Sequence, residues 1–451
     1  MSFTAVFRRE ALSLVQLAVP LVAGLTVSSL LLLTDTWLLG PLGETALASA
    51  SLAASVSVIL WSALYGFLAP VGVLVARAWG AGDYRKVAAV VAHGRWLGLA
   101  IGVGSAATMG AMLLALPAMG QPAEVVRGIG PYWIAMSLVL VPYSVNLVFK
   151  QLLDAVGRAW TGVALMSLAV VVNVPLNYAL IHGAWGFPRL GLAGAGVATL
   201  AAEAVALLAF WIHWRCSPAM APLRQAVRLH RRRFSLQTRE GIPMGVQYLA
   251  EGSALAVAGV LIGLLGATAL AANQIVFSIA SVLYMLPLGM AGAVAIRIGQ
   301  ALGAGEGARV RGIGLTALAL VTSWTVLFML ALVLGGERIA ALFVDEHRVV
   351  ALAAAMFLAV GAMQVFDGIQ SVSLGALRAL LDTRWATGVS LVAYWLLALP
   401  LGWLLAMPLG LGAVGFWVAN KRGRAVVPRE TRHCPYPWRF TLRSADTIGK
   451  G

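Results

Sequence analysis

The sequence predicts an all-α polytopic membrane protein of two six-helix bundles related by an internal repeat, with the twelfth span incomplete. Three observations carry that prediction: composition, the length and number of the apolar runs, and self-similarity at one fixed spacing. Of 451 residues, 61% are hydrophobic and 11% charged, whereas soluble domains are about half apolar and about a quarter charged. A water-soluble fold keeps its charges on a surface that this chain hardly possesses. The apolar runs exceed about 18 residues and recur, as membrane helices require. They do not alternate every second residue, which argues against a barrel.

The first run covers 14–39. Arg8, Arg9 and Glu10 precede it and no convincing small-residue cleavage site follows, so it is expected to remain as a span. Further windows fall at 46–76, 93–117, 130–153, 160–182 and 191–214. After a polar stretch come 241–265, 269–296, 312–335, 349–377 and 385–407. A twelfth begins near 410 and stops abruptly. Cys216 and Cys434 lie far apart in basic stretches and suggest neither a disulfide framework nor a metal cluster. His93, His182 and His213 lack ligand spacing and are expected near helix ends.

The net charge of +15 is placed asymmetrically. Arg77, Arg85, Lys86, Arg158, Arg297, Arg309, Arg311, Arg378 and Arg384 fall on one side of the alternating connections. So does the cluster Arg231, Arg232 and Arg233. The other side shows Arg127, Arg189, Arg338 and Arg348. This is the positive-inside pattern, with the N-terminus expected in the cytoplasm. Aromatic interleaving is absent from the basic link, so nucleic acid is not expected as a partner.

The repeat orders the whole chain. LGETALA at 42–48 returns as LGATALA at 265–271, and WGAGD at 79–83 as LGAGE at 302–306. The offsets agree (266 − 43 = 223 and 303 − 80 = 223), and Pro20 and Pro243 share them. Three anchors at one offset imply duplication. Six spans per half give parallel copies related by an axis along the membrane normal, with a cleft between them. The expected division is a bundle at 1–214, a basic cytoplasmic linker at 215–240, a second bundle at 241–420, and a tail at 421–451.

Four of the 17 acidic residues fall inside apolar windows: Asp35, Glu203, Glu251 and Asp367. A charge at mid-bilayer costs about 2.5–3.5 kcal/mol on insertion scales. Protonation or a visiting cation relieves that cost, which is what an ion-coupled machine needs. Gln364 and Gln370 flank Asp367 at three-residue spacing and make one polar stripe, as a water-lined face requires. Glu203 has only Thr199 nearby in sequence and is the weakest functional candidate of the four. Asn173 and Asn177 share a face of the fifth span, with Pro175 between them freeing a carbonyl. Their amide oxygens suit either a cation beside a carboxylate or helix–helix hydrogen bonds.

Several stretches together resemble the multidrug and toxic compound extrusion (MATE) family, in its NorM-type bacterial branch. They include TDTWLLGPLGETALA, NVPLNYALIHGAWGFPRLGLAGAGVAT, GIPMGVQYLAEGSA and QVFDGIQSVSLGALRALLDTRW. The resemblance runs from about residue 10 to 420. It implies a V-shaped pair of bundles with a central cleft. It also implies alternating access and export of small cationic amphiphilic compounds against inward Na⁺ or H⁺, by a non-enzymatic monomer in the bacterial inner membrane. It assigns cation or proton coupling to Asp35, with Asn173, Asn177 and Thr199 as neighbours, and to Glu251 and Asp367 in the second half. No cofactor and no metal beyond Na⁺ is implied, and membrane lipid is the surrounding partner. Met363 stands where some members carry a tyrosine, one turn before Asp367.

After Asn420 the chain departs from that pattern. The segment from Lys421 has Pro428, Pro435, Pro437 and eight Lys or Arg, and cannot cross a bilayer as a helix. It reads as an aberrant ending replacing most of the twelfth span, with a regulatory tail as the alternative. An inactive remnant of an exporter is accordingly one rival reading. A lipid-linked precursor flippase is another, although its cleft should carry cations where this chain places acids. A membrane enzyme is disfavoured by the lack of paired-aspartate, HExxH and Gly-rich phosphate motifs.

Overall fold

The computed structural model describes residues 3–119, 123–407 and 412–418. The described residues form α1 (Phe3–Leu39), α2 (Glu44–Gly80), α3 (Tyr84–Ala115), α4 (Ala123–Ala155), α5 (Ala159–His182) and α6 (Leu192–Cys216). The second half supplies α7 (Arg231–Gly263), α8 (Ala267–Gly303), α9 (Gly307–Ala341) and α10 (His347–Leu380). It ends in α11 (Thr383–Ala406) and a short α12 (412–418). Eleven of these helices are long and apolar enough to cross a bilayer. The chain is a multi-pass membrane protein, all-α as the apolar runs predict. The expected tail at 421–451 and the end of the twelfth span lie outside the described residues.

Most helices outrun their apolar windows because polar residues continue the helix beyond the oily stretch. α3 begins at Tyr84, so His93 stands ten residues along its span rather than at an end, and it is fully buried. Its Nδ1 lies 2.6 Å from the Ala89 carbonyl, and its Nε2 accepts from the His230 main-chain N–H at 2.8 Å. A carbonyl can only accept and an N–H can only donate, so in these contacts Nδ1 donates and Nε2 accepts. His93 thereby fastens the end of the basic link, just before α7, to α3.

The duplication is written into the backbone. Gly43 and Gly266, 223 apart, hold φ of +93° and +108° and open α2 and α8. Gly82 and Gly305, at the same offset, hold φ of +67° and +75° between the next pair of helices. These are conformations in which a side chain is strained. Asp83 and Glu306 follow these turns, and their main-chain N–H groups reach Ala78 and Ala301 carbonyls at 3.0 and 2.9 Å. Asp83 also caps α3, accepting from the Lys86 N–H at 2.9 Å.

Two compact units result: Val15–Ser253 with Leu381–Arg384, and the described residues up to Leu14, Ala254–Leu380 and the described residues from Trp385 onward. In the first, α4 is central and packs on α2, α3, α5 and α6. Its Trp133 is fully buried and donates to the Met109 carbonyl at 2.6 Å. α6 approaches α4 closely at Gly196, where an added Cβ would sit 2.8 Å from that of Ala135.

In the second unit α10 is central and packs on α8 and α9. Phe357 and Val360 lie in a core that also takes Phe416 and Trp417 from α12. Trp417 Nε1 donates to Asn273 of α8 at 3.0 Å. Glu10, buried near the start of α1, accepts from Arg309 Nη2 at 2.6 Å and Nε at 3.0 Å, with Arg297 3.5 Å away. α11 widens to a π-helix at Val392–Ala398.

Candidate functional site

Three helices of the first unit meet at Asp35. Asn173 and Asn177 are one turn apart on α5, so their amides stack on one face, and α5 runs unbroken through Pro175. Asn177 Nδ2 donates to Asp35 Oδ1 at 2.6 Å and to Asn173 Oδ1 at 2.8 Å. Asn173 Nδ2 donates to Thr199 Oγ1 on α6 at 3.2 Å. Thr199 Oγ1 lies 3.1 Å from Asp35 Oδ2 and 3.0 Å from the Ala195 carbonyl. The four residues expected to be neighbours are therefore joined in one hydrogen-bonded ring. Asp35 is partly buried and the other three fully so.

The proton inventory of that ring is informative. Thr199 accepts from Asn173 and has one hydroxyl proton of its own, which it gives to Asp35 or to Ala195. A charged Asp35 takes it. A protonated Asp35 donates to Thr199 instead, and the hydroxyl turns to Ala195. The ring thus completes its hydrogen bonds in either state of the acid. Both Asn177 amide protons are engaged, so its Oδ1 points away, buried and without a hydrogen-bond partner among the described residues.

Asp35 opens onto a cavity of about 350 Å³ within this unit, lined also by Trp61, Tyr132, Met136, Tyr143, Met166 and Thr199. Glu203 lines it too. The sequence reading ranked Glu203 weakest of the four in-span acids. It lies one turn after Thr199 on α6, and its polar partner is Asn146 of α4, whose Nδ2 donates to Glu203 Oε2 at 2.8 Å. That partner is 57 residues away, beyond the reach of any local pattern. The signal available in sequence was the shared α6 face with Thr199.

The remaining candidates lie elsewhere. Asp367, Gln364 and Gln370 are all buried on α10. Gln364 Nε2 donates to the Ala280 carbonyl of α8 at 3.0 Å, and Gln370 Nε2 to the Tyr394 hydroxyl of the π segment at 3.3 Å. Ser371 donates to the Tyr284 hydroxyl at 3.4 Å. The Oε1 atoms of both glutamines are buried with no hydrogen-bond partner among the described residues. Met363 packs in the apolar core, and the tyrosines near this stripe are Tyr284 and Tyr394, which the sequence reading did not single out. Glu251, on α7, is partly buried and belongs to the first unit, whereas Asp367 belongs to the second. Among the described residues no group of three or more His, Cys, Asp and Glu is placed to hold a metal ion.

The family model described as MatE matches the chain twice, at residues 20–179 and 243–404. The two matches start 223 residues apart (243 − 20 = 223), the offset of the repeat. A probable multidrug resistance protein NorM of Pseudomonas aeruginosa is 34% identical over 90% of this chain and 85% of its own length. The multidrug resistance protein NorM of Burkholderia vietnamiensis is 32% identical over 98% and 96%. Among solved structures, the eukaryotic MATE transporter AtDTX14 superposes with a TM-score of 0.85 at 21% identity, covering 95% of this chain and 96% of its own.

Proposed function

The chain belongs to the MatE family, and from that premise we propose that it exports cationic amphiphilic compounds in exchange for inward Na⁺ or H⁺. It works by alternating access in the inner membrane of a bacterium, with its N-terminus in the cytoplasm. The NorM relatives carry multidrug resistance in their names, which supports drug-like cargo. The observation that carries the coupling is the Asp35 ring beside its cavity.

Coupling operates through occupancy. A deprotonated Asp35 presents negative charge to the cavity and favours a cation there. Na⁺, carried as a co-substrate, would be held by Asp35 and the Thr199 hydroxyl, hard oxygen donors of the kind such an ion takes. H⁺ would be held on Asp35 with Thr199 turned to Ala195. Either cancels the charge and weakens the hold on cargo. A ligand shifts a conformational equilibrium only by its difference in affinity for the two states, so the acid must change surroundings during the cycle. Glu251 and Asp367 serve the same purpose in the second half, with Gln364 and Gln370 as polar support.

The test is dye resistance and ethidium efflux in an efflux-deficient bacterial host, with Na⁺ and H⁺ varied independently. The wild-type chain confers export. Asp35→Asn, Glu251→Gln and Asp367→Asn each abolish it while inserting normally. Undiminished export by all three variants overturns the proposal.

A further inference from the structure

Asp35 shares its cavity with a second acid whose surroundings are different in kind. Both Asp35 oxygens have donors, Asn177 on Oδ1 and Thr199 on Oδ2. Glu203 has one. Asn146 Nδ2 bonds Glu203 Oε2 at 2.8 Å and the Glu203 main-chain carbonyl at 3.0 Å. Both amide protons of Asn146 are thereby committed to a single residue, which fixes the glutamate rotamer. Asn146 is itself buried, and its Oδ1 has no hydrogen-bond partner among the described residues. Glu203 is only 8% exposed, and its Oε1 accepts no hydrogen bond among the described residues, leaving that oxygen for the cavity that Glu203 lines. A carboxylate so enclosed and half-satisfied is costly to keep charged unless a positive group comes to it.

The walls say which positive group. A bare alkali or alkaline-earth ion wants several oxygen ligands, and around Asp35 it finds them. Beside aliphatic and small residues such as Leu31, Val170 and Ser51, the lining carries aromatic and thioether side chains: Trp61, Tyr132, Tyr143, Met136 and Met166. Rings of this kind attract an alkylated ammonium through their faces, and methionine adapts to cargo of varied outline. The volume of about 350 Å³ is roughly ten times the share of one water molecule. It admits an organic cation of moderate size.

We propose that Glu203, oriented by Asn146, is the docking carboxylate for the ammonium group of the exported organic cation, a role separate from ion coupling at Asp35. The assignment rests on the export reading above and deepens it: Glu203 makes the cavity select charged over uncharged cargo of the same shape. Asn146 acts as a positioning residue.

The test is equilibrium binding to the purified full chain of two probes of near-identical outline, 4-hydroxyphenyltrimethylammonium and uncharged 4-tert-butylphenol. Glu203→Gln keeps an acceptor for Asn146 and removes only the charge. It is expected to weaken the cation at least tenfold and to leave the uncharged probe within twofold of wild type. Glu203→Met serves as a second charge-removing variant if the first does not fold, and Glu203→Asp restores part of the preference. Asp35→Asn lowers cation affinity, as neutralising that acid must, yet still prefers the cation to the uncharged probe and loses the response of binding to Na⁺ or pH. Equal weakening of both probes by Glu203→Gln assigns the residue to packing and overturns the inference, as does no weakening of either. Normal efflux by the wild type beside a Glu203→Gln variant that weakens both probes equally, or neither, defeats this inference alone. Absence of efflux and of cation binding in the wild type defeats both readings.

Discussion

Replacing Thr199 with valine keeps the shape of the side chain and removes one hydroxyl, at the point where that hydroxyl decides how Asp35 is held. The lost contact is 3.1 Å long and goes to a carboxylate. Hydrogen bonds to charged groups contribute about 1.5–3 kcal/mol. The single hydroxyl proton is contested by the Ala195 carbonyl at 3.0 Å, which puts the loss at the lower end, about 1.5 kcal/mol, or roughly tenfold in an equilibrium constant. The direction depends on the coupling ion, which makes the variant diagnostic. If Na⁺ is the driver, an oxygen ligand disappears and the Na⁺ concentration for half-maximal efflux rises about tenfold. If H⁺ is the driver, the charged acid loses a donor and the protonated acid an acceptor; the bond to the charged form is the stronger, so half-maximal efflux needs a few-fold fewer protons. The assay is ethidium efflux from everted membrane vesicles, titrated with Na⁺ at fixed pH and with pH at fixed Na⁺. Both midpoints staying within twofold of wild type, for a variant that elutes as folded protein, would refute the reasoning.

Glu10→Ala removes the acceptor shared by Arg297 and Arg309. Breaking a buried pair costs about 3–5 kcal/mol, but the two arginines retain 25% and 33% of their side-chain surface, so about 2 kcal/mol is expected, read as a lower unfolding temperature in detergent. Gly196→Ala places a methyl against Ala135 and the Tyr132 carbonyl; overpacking of about 1–3 kcal/mol should lower both thermal stability and efflux by forcing α6 off α4. Asp83→Ala removes the cap of α3 and should cost about 1 kcal/mol in the same melting assay. The Lys86 N–H, first among its partners, holds the Asp83 carboxyl below the ordinary carboxylate range. Its contribution is therefore complete above the unfolded value and fades as pH falls through the lower folded one, so the gap between wild type and Asp83→Ala should close in acid.

Much of this architecture is carried by local pattern. The spans follow from uninterrupted apolar length, and the repeat surfaces again as paired glycines at positive φ, because a turn that needs such a conformation keeps its glycine in both copies. The union of Asp35 with Asn173, Asn177 and Thr199 was legible through helical spacing together with family resemblance. What stayed hidden depends on side chains meeting across large separations. Glu203 finds Asn146 on another helix, Glu10 finds arginines nearly 300 positions away, and neither pairing leaves a trace in its own neighbourhood. Asp154 is a milder case: next to the end of α4 it is buried, bonded to Lys150 one turn before it at 2.6 Å. The helix starts were missed for a related reason, since hydropathy marks where oil begins and not where helical hydrogen bonding does.

The π segment at Val392–Ala398 bears on how this gene can change over time. A widened turn is how a helix absorbs an extra residue without unwinding. Loss of one codon there would return the ladder to ordinary pairing. The same loss within α4 or α10 would swing every later side chain by about 100° and scatter the core. Single-codon insertions and deletions in descendants of this sequence should therefore collect at 392–398, the part of the eleventh span where length is negotiable.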